Sequence, residues 1–164
     1  MPLRLRPYRE GDTPALIALF RETIHSVNRR DYSPAQLAAW APAEIDEAAW
    51  AARQAEHHTL LAEIDGALAG FAELTAEGHL HMLFVHKDHQ GEGIASALLA
   101  AMEDRAHTAG QSKITADARL TAQPFFQRQG FRRLAEQEVE RNGQTLRNCR
   151  MAKTLSIEEQ EASV

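Results

Sequence analysis

The chain has a single cysteine, Cys149. It cannot close an internal disulfide, so a reducing compartment, the cytoplasm, is expected. No run is long and apolar enough to cross a bilayer. The segment Met1-Pro2-Leu3-Arg4-Leu5-Arg6 lacks an apolar core, so no secretory signal is expected. Blocks of like charge are absent. Basic residues are also in the minority. Eighteen Lys and Arg stand against 23 Asp and Glu, giving a net charge of −5 and a pI near 5.9. A phosphate backbone is bound by clustered Lys and Arg, so a nucleic-acid partner is not expected. There is no internal repeat and no linker. What is present is 164 residues, 44% hydrophobic and 25% charged, enough for one domain with a core of its own. That domain is expected over residues 1–155, followed by a polar, acidic tail over 156–164.

Local signals give the order of elements. Leu3 and Leu5 alternate with arginines, as in a short edge strand stopped by Pro7. Asp12 is placed to cap a helix carrying Leu16, Leu19, Phe20, Ile24 and Val27 at helical spacing. Ser33-Pro34-Ala35-Gln36 has the form of a capping box with proline in the first turn. Asp46 can open a third helix. Asp65-Gly66 and Asn142-Gly143 are hairpin turns. Between them come a strand over His79–Val85, a long Ala- and Leu-rich helix, a strand over Lys113–Ala118 and a short helix from Gln123. The predicted order is β-α-α-α-β-β-β-α-β-α-β-β.

The chemistry is concentrated in His79 to Ala106. A strand ends near Val85, a loop follows, and Gln90-Gly91-Glu92-Gly93-Ile94-Ala95-Ser96 opens a helix. A helix N-terminus offers unpaired N–H groups to an anion, and glycines let the backbone come close to it. Gly91 and Gly93 alone equally fit a tight turn. A dinucleotide fingerprint with Asp117 as the acidic residue is a second reading. It is disfavoured because Ser96 replaces the third glycine and hairpins fill the end of the chain.

Gln90-Gly91-Glu92-Gly93-Ile94-Ala95 fits Q/R-x-x-G-x-G/A, and in this respect the chain resembles the GCN5-related N-acetyltransferase (GNAT) family. Met82-Leu83-Phe84-Val85 is similar to that family's central strand. Ala122 to Phe131, ending Gly-Phe, is similar to its later helix-to-strand segment, and the order of elements agrees. The resemblance covers Leu3 to Thr154. It implies an α/β (mixed α+β) fold with a mostly antiparallel sheet splayed at one parallel strand pair. It also implies transfer of an acetyl group from acetyl-CoA to a primary amine of a small molecule or an N-terminus, by direct attack in a ternary complex. A non-catalytic acyl-CoA sensor on the same fold is the alternative, motivated by Glu92 and Phe126.

By the same resemblance, the pantetheine arm would pair along Leu83, Phe84 and Val85. The Leu83 N–H would face the thioester carbonyl, and Gln90, Gly91, Glu92, Gly93, Ile94, Ala95 and Ser96 would hold the pyrophosphate. Phe125 and Phe126 would flank the arm, and Tyr32 and Trp40 would wall the acceptor pocket. His79 falls where several members carry a catalytic glutamate. A strand period of two puts His79, His81, Leu83 and Val85 on one face. His81, His79 and Glu73 are therefore the candidate bases, imidazole titrating near working pH. Phe126 stands where many members have an acidic tyrosine, which leaves water, Tyr32 or, less well, Cys149 to protonate the thiolate. Glu92 replaces a common Lys or Arg, and Arg119 a frequent Asn. His86, Asp88 and His89 lack metal-ligand spacing, so no metal is expected. The net charge mildly favours a cationic amine. Neither nucleic acid nor membrane is an expected partner, and monomer and homodimer both remain open.

Overall fold

The computed structural model describes residues 2–155; the tail expected over 156–164 lies outside the described residues. The predicted order of elements is found. Strand β1 (Leu3–Pro7) is followed by helices α1 (Thr13–Val27), α2 (Pro34–Trp40) and α3 (Glu47–Glu56). Then come β2 (His58–Ile64), β3 (Ala67–Leu74), β4 (His79–Val85), α4 (Ile94–Thr108), β5 (Lys113–Arg119), α5 (Gln123–Arg128), β6 (Arg132–Arg141) and β7 (Gln144–Thr154). The seven strands form one sheet in the order β1-β2-β3-β4-β5-β7-β6. Every neighbouring pair is antiparallel except β4 and β5.

Local chemistry explains most boundaries. Ser33 and Gln36 make the reciprocal capping box, and Asp46 accepts from the Ala49 N–H to start α3. Asp65, Gly66, Asn142 and Gly143 all have positive φ, as paired residues of two-residue hairpin turns do. Asp12 behaves differently from the expectation. It precedes α1 but makes no side-chain cap. Its carboxylate instead clamps the Arg6 guanidinium at 2.9 Å through both oxygens and accepts from the Arg9 N–H. A bidentate charged pair outcompetes a cap bond.

The sheet is covered on both faces. On one, Leu98, Leu99 and Met102 of α4 pack on Ala72, Leu80, Leu83, Val85, Ile114 and Met151. On the other, Leu16, Phe20 and Ile24 of α1 pack on Leu61, Phe71 and Phe84, with Leu37 and Trp50 from α2 and α3. Cys149 is fully buried in the first cluster as a small apolar filler.

One point of close approach fixes the height of α4 over the sheet. A Cβ on Gly70 of β3 would lie 2.8 Å from the Phe84 carbonyl oxygen and 3.2–3.3 Å from Ile94 and Leu98 side chains. The backbone contact cannot relax without moving β4. Gly70→Ala is therefore expected to destabilise the fold by about 1–3 kcal/mol, the range of overpacked cores, measured as a lower midpoint of urea unfolding. An unchanged midpoint would show that β3 and β4 can separate freely here.

Candidate active site

The parallel pair is short. β4 and β5 pair only at His79 with Thr115 and Leu80 with Ala116. Beyond these residues the strands diverge. On its other edge β4 stays paired with β3, but with an irregularity: Met82 faces Glu73, whereas Leu80 faces Leu74. Two residues of β4 thus span one of β3, a β-bulge with His81 as the extra residue.

The bulge corrects an expectation. A strict period of two would have put His79, His81, Leu83 and Val85 on one face. The inserted residue breaks the alternation instead. Leu80, Leu83 and Val85 pack toward α4. His79, His81, Met82 and Phe84 line a cavity on the opposite face.

The bulge also leaves an open strand edge. His86 donates its N–H to the Ala69 carbonyl, and Phe84 faces Phe71. Since N–H and C=O groups alternate between edges, Leu83 and Val85 direct theirs into the gap. Thr23 and Gln90 donate to the Val85 carbonyl at 3.2 and 2.7 Å, and Arg119 donates to the Leu83 carbonyl at 3.2 Å.

Two cavities meet at this gap. One, of about 460 Å³, is lined by Leu83, Val85, Gln90, Gly91, Gly93, Ile94, Ala95, Ser96, Phe125 and Phe126. Gly91 and Gly93 have φ of +75° and +84°, in the left-handed region, and a Cβ on either would meet nothing within 4 Å. No side chain caps α4, so its first N–H groups face this space without a protein acceptor on their side-chain side. Glu92 is the exception in the glycine run. Its side chain does not line the cavity and pairs instead with His89 Nδ1 at 2.9 Å. This turns its charge away from the cavity; the expected contact of a cofactor with this stretch is through backbone N–H groups. Arg30 and Arg128 line the same space, two cations that no motif singled out.

The second cavity, of about 540 Å³, lies between β4, β5 and the α1–α3 layer. Phe20, Tyr32, Trp40 and Trp50 give it aromatic walls, and His79 and His81 lie on its floor. Phe84 and Arg119 line both cavities. His79 is held at both nitrogens, by Thr115 Oγ1 at 2.8 Å and by Asp117 at 3.4 Å. Asp117 in turn accepts from Arg150 and Gln137. It is a paired residue within β5. His81 is exposed to the cavity; its ring lies edge-on to His57 at 5.6 Å. Burial pushes both histidines below the ordinary imidazole value, more strongly than Asp117 or Glu73 pulls them back up.

One candidate base lies outside the cavity, and one candidate acid is tied up within it. Glu73 is fully buried and does not line the cavity. Arg53 binds both its oxygens at 2.9 Å, with Gln54 and His57 adding further contacts. Burial opposes the charge, yet Arg53 and Gln54 hold the carboxylate below its ordinary value. Tyr32 does line the cavity and sits edge-on to Trp40 at 5.5 Å. Its hydroxyl is committed: it donates to the Arg147 carbonyl at 2.6 Å and accepts from the Leu120 N–H at 3.0 Å, and burial raises its pKa. With Cys149 fully buried as well, neither side chain is free to protonate a leaving thiolate. Among the described residues no group of His, Cys, Asp or Glu is arranged to hold a metal, and no helix is long and apolar enough to cross a membrane.

A mixed sheet splayed at its one parallel pair, with a glycine-rich helix start beside the gap, is the architecture of acetyl transfer in the family the sequence resembles. Comparison with known proteins bears this out. The profile of the acetyltransferase (GNAT) domain matches residues 28–155, and the chain belongs to that family. It is 35% identical over 149 residues, covering 91% of this chain and 94% of the relative, to the uncharacterized N-acetyltransferase YafP of Escherichia coli (strain K12). A crystal structure described as a GCN5-related N-acetyltransferase, aminotransferase class-II, from Rhodopseudomonas palustris superposes with a TM-score of 0.91. It shares 37% identity, covering 94% of this chain and 97% of that one. The PaiA N-acetyltransferase of Thermoplasma acidophilum, solved with coenzyme A, shares the fold at a TM-score of 0.77 and 18% identity, covering 94% and 99%.

Arg53 and Glu73 form a buried pair in the wall of the second cavity. Arg53→Met would strand a carboxylate with no exposed surface. It is expected to cost on the order of 3 kcal/mol, whereas Glu73→Gln, leaving the partly exposed Arg53, is expected to cost less. Urea unfolding of both variants checks the order. Equal losses would mean that Gln54 and His57 alone satisfy the carboxylate.

Proposed function

We propose that the protein transfers the acetyl group of acetyl-CoA to a primary amine, with the donor in the glycine-lined cavity and the amine in the aromatic one. One observation carries this reading: the two cavities meet at the open edge of β4. In this arrangement the Leu83 and Val85 edge takes the pantetheine arm as an added strand. The glycine run and the first N–H groups of α4 take the pyrophosphate, with Arg30 and Arg128 near its charge. Phe125 and Phe126 pack against the arm.

The amine nitrogen attacks the thioester carbonyl carbon, and the Leu83 N–H stabilises the oxyanion that develops. The C–S bond then breaks. The amine's proton passes to a base and the thiolate takes one from water, since the Tyr32 hydroxyl is committed and Cys149 is buried. We assign the base to His81. It opens onto the cavity, whereas both nitrogens of His79 are engaged and Glu73 is sealed beneath the floor. Glu73 acts by fixing Arg53, and His79 by ordering the floor with Asp117.

The donor assignment is tested by calorimetric titration with acetyl-CoA, using NADH as control. Saturable binding of acetyl-CoA alone is expected. Gly93→Asp places a carboxylate at the anion site and is expected to abolish it. Gly93→Ala, strained by about 1 kcal/mol at positive φ, is expected to retain most of it. Binding of acetyl-CoA by Gly93→Asp with unchanged affinity would remove the pyrophosphate assignment.

The base assignment is tested by pH. Burial lowers the His81 pKa, against Glu73, which raises it, and with Arg53, His57 and His79, which lower it further. A base must be neutral to accept a proton, so a lowered pKa keeps it competent into mildly acidic solution. The kcat profile is expected to be flat at neutral pH and to fall only below the ordinary imidazole value. His81→Ala is expected to lower kcat on the order of 100-fold and to erase that acid limb, with acetyl-CoA affinity retained. An intact limb in the variant would move the base elsewhere.

A further inference from the structure

Arg119 sits at the junction of the two cavities, and the charge around it is unbalanced. Its guanidinium lies over the Phe84 ring at 4.3 Å and within 5.2 Å of the Trp40 ring centre. Its Nη2 reaches only the Leu83 carbonyl, and its Nε is enclosed without any hydrogen-bond partner. Among the described residues it pairs with no carboxylate. Beside it, Arg53 is matched with Glu73 and Asp117 with Arg150, while Glu44, Asp46, Arg141 and Arg147 also line the cavity. Burial lowers the Arg119 pKa to about 10, which still leaves the group protonated at neutral pH. A desolvated cation with an orphaned donor is costly unless a ligand supplies the anion. A guanidinium donates to a carboxylate from a planar set of N–H groups that a lysine ammonium lacks.

We propose that the acceptor is an amine carrying its own carboxylate close to the nitrogen, an α-amino acid with a bulky apolar or aromatic side chain, and that Arg119 binds that carboxylate. This rests on the acetyl-transfer reading for the position of the nitrogen. Arg119 touches the same residue, Leu83, whose N–H faces the reacting carbonyl. A carboxylate on Arg119 therefore brings an amine one carbon away to the thioester, and a longer spacer carries it past. The whole cavity, about 540 Å³ and walled in part by Phe20, Trp40 and Trp50, exceeds what an amino acid with a small side chain fills. An aromatic or branched apolar chain uses that wall.

Binding of the product tests the inference without requiring turnover. N-acetyl-L-phenylalanine and its C-terminal amide are titrated into the protein by calorimetry. The acid is expected to bind at least about tenfold tighter than the amide, the scale of one charge-assisted pair. In Arg119→Gln the two are expected to fall within about threefold of each other. Arg119→Lys, which keeps the charge without the planar donor set, is expected to fall between. Equal binding of acid and amide to the unsubstituted protein would overturn the proposal. So would binding of neither, or a preference that survives in Arg119→Gln. Thiol release from acetyl-CoA separates the two readings. Faster release with L-phenylalanine than with phenethylamine supports the proposal. Equal release with both overturns it but keeps acetyl transfer. An Arg119-dependent preference for the acid, with no release from any amine, supports the carboxylate site and removes acetyl transfer.

Discussion

The structure depends on how little β4 and β5 hold each other. A parallel pair in the middle of a sheet is normally buried along its whole length. Here two residue pairs close it, and then the strands part. Two features favour the opening. The bulge at His81 re-aims the rest of β4, and Arg119 at the end of β5 sends its side chain across to the Leu83 carbonyl in place of a ladder bond. A backbone edge left open in a core would be unstable if nothing satisfied it. Val85 is satisfied by Thr23 and Gln90, and Leu83 by Arg119. The carbonyls of the open edge are thus kept bonded by side chains, which can yield to an incoming strand-like ligand more readily than a paired strand can.

The same opening sorts the charges. On the side of the glycine run the local charge is positive: helix N–H groups, Arg30 and Arg128, with Glu92 turned outward onto His89. On the other side, acids and bases are paired beneath the floor, and aromatic rings make the walls. His81 opens onto the cavity, and Arg119, where the two cavities join, is paired with no carboxylate among the described residues. An unpaired histidine and an unpaired arginine a few residues from one backbone N–H make a site that can remove a proton and hold an anion at once. Neither task needs a metal or a bound redox group, and both draw on groups whose charge state is set by burial.

What the sequence made legible follows from the range of the forces involved. Caps and hairpin turns are decided within four or five residues, so Ser33 with Gln36, Asp46, Asp65-Gly66 and Asn142-Gly143 announced themselves. The glycine run is likewise local, and with the strand before it and the helix after it the family pattern was readable. The bulge was not, because it is a mismatch between two strands rather than a property of either. Nothing in His-Leu-His-Met-Leu-Phe-Val marks His81 as an extra residue, and so the faces of β4 were misassigned. Glu73 looked like a base because its partners are distant in sequence: Arg53, Gln54 and His57 sit on and just after α3, and only the fold seals them over it. Asp12 was misjudged for the same reason, its stronger partner being Arg6 on a strand rather than the helix it precedes.

Net charge is an indirect guide to the acceptor. A chain at −5 suggests attraction for cations, and at long range in dilute salt that is correct. At physiological ionic strength, however, exposed charges beyond roughly 8 Å are screened. A ligand inside a cavity responds to the few groups that line it. Most acids of this protein lie on its exterior, while Glu73 and Asp117 near the cavity floor are already neutralised by arginines. The field met by a bound amine is therefore set by the lining itself: Arg119 where the two cavities join, with Glu44, Asp46, Arg141 and Arg147 on the same walls. A purely cationic acceptor would be repelled by Arg119 where the chemistry has to occur. A zwitterion would be oriented by it, carboxylate toward the guanidinium and nitrogen toward the open edge of β4. With the carboxylate on Arg119 as proposed, the local charge would favour a feature that the net charge does not suggest, because the groups that decide binding are the ones the fold has removed from water.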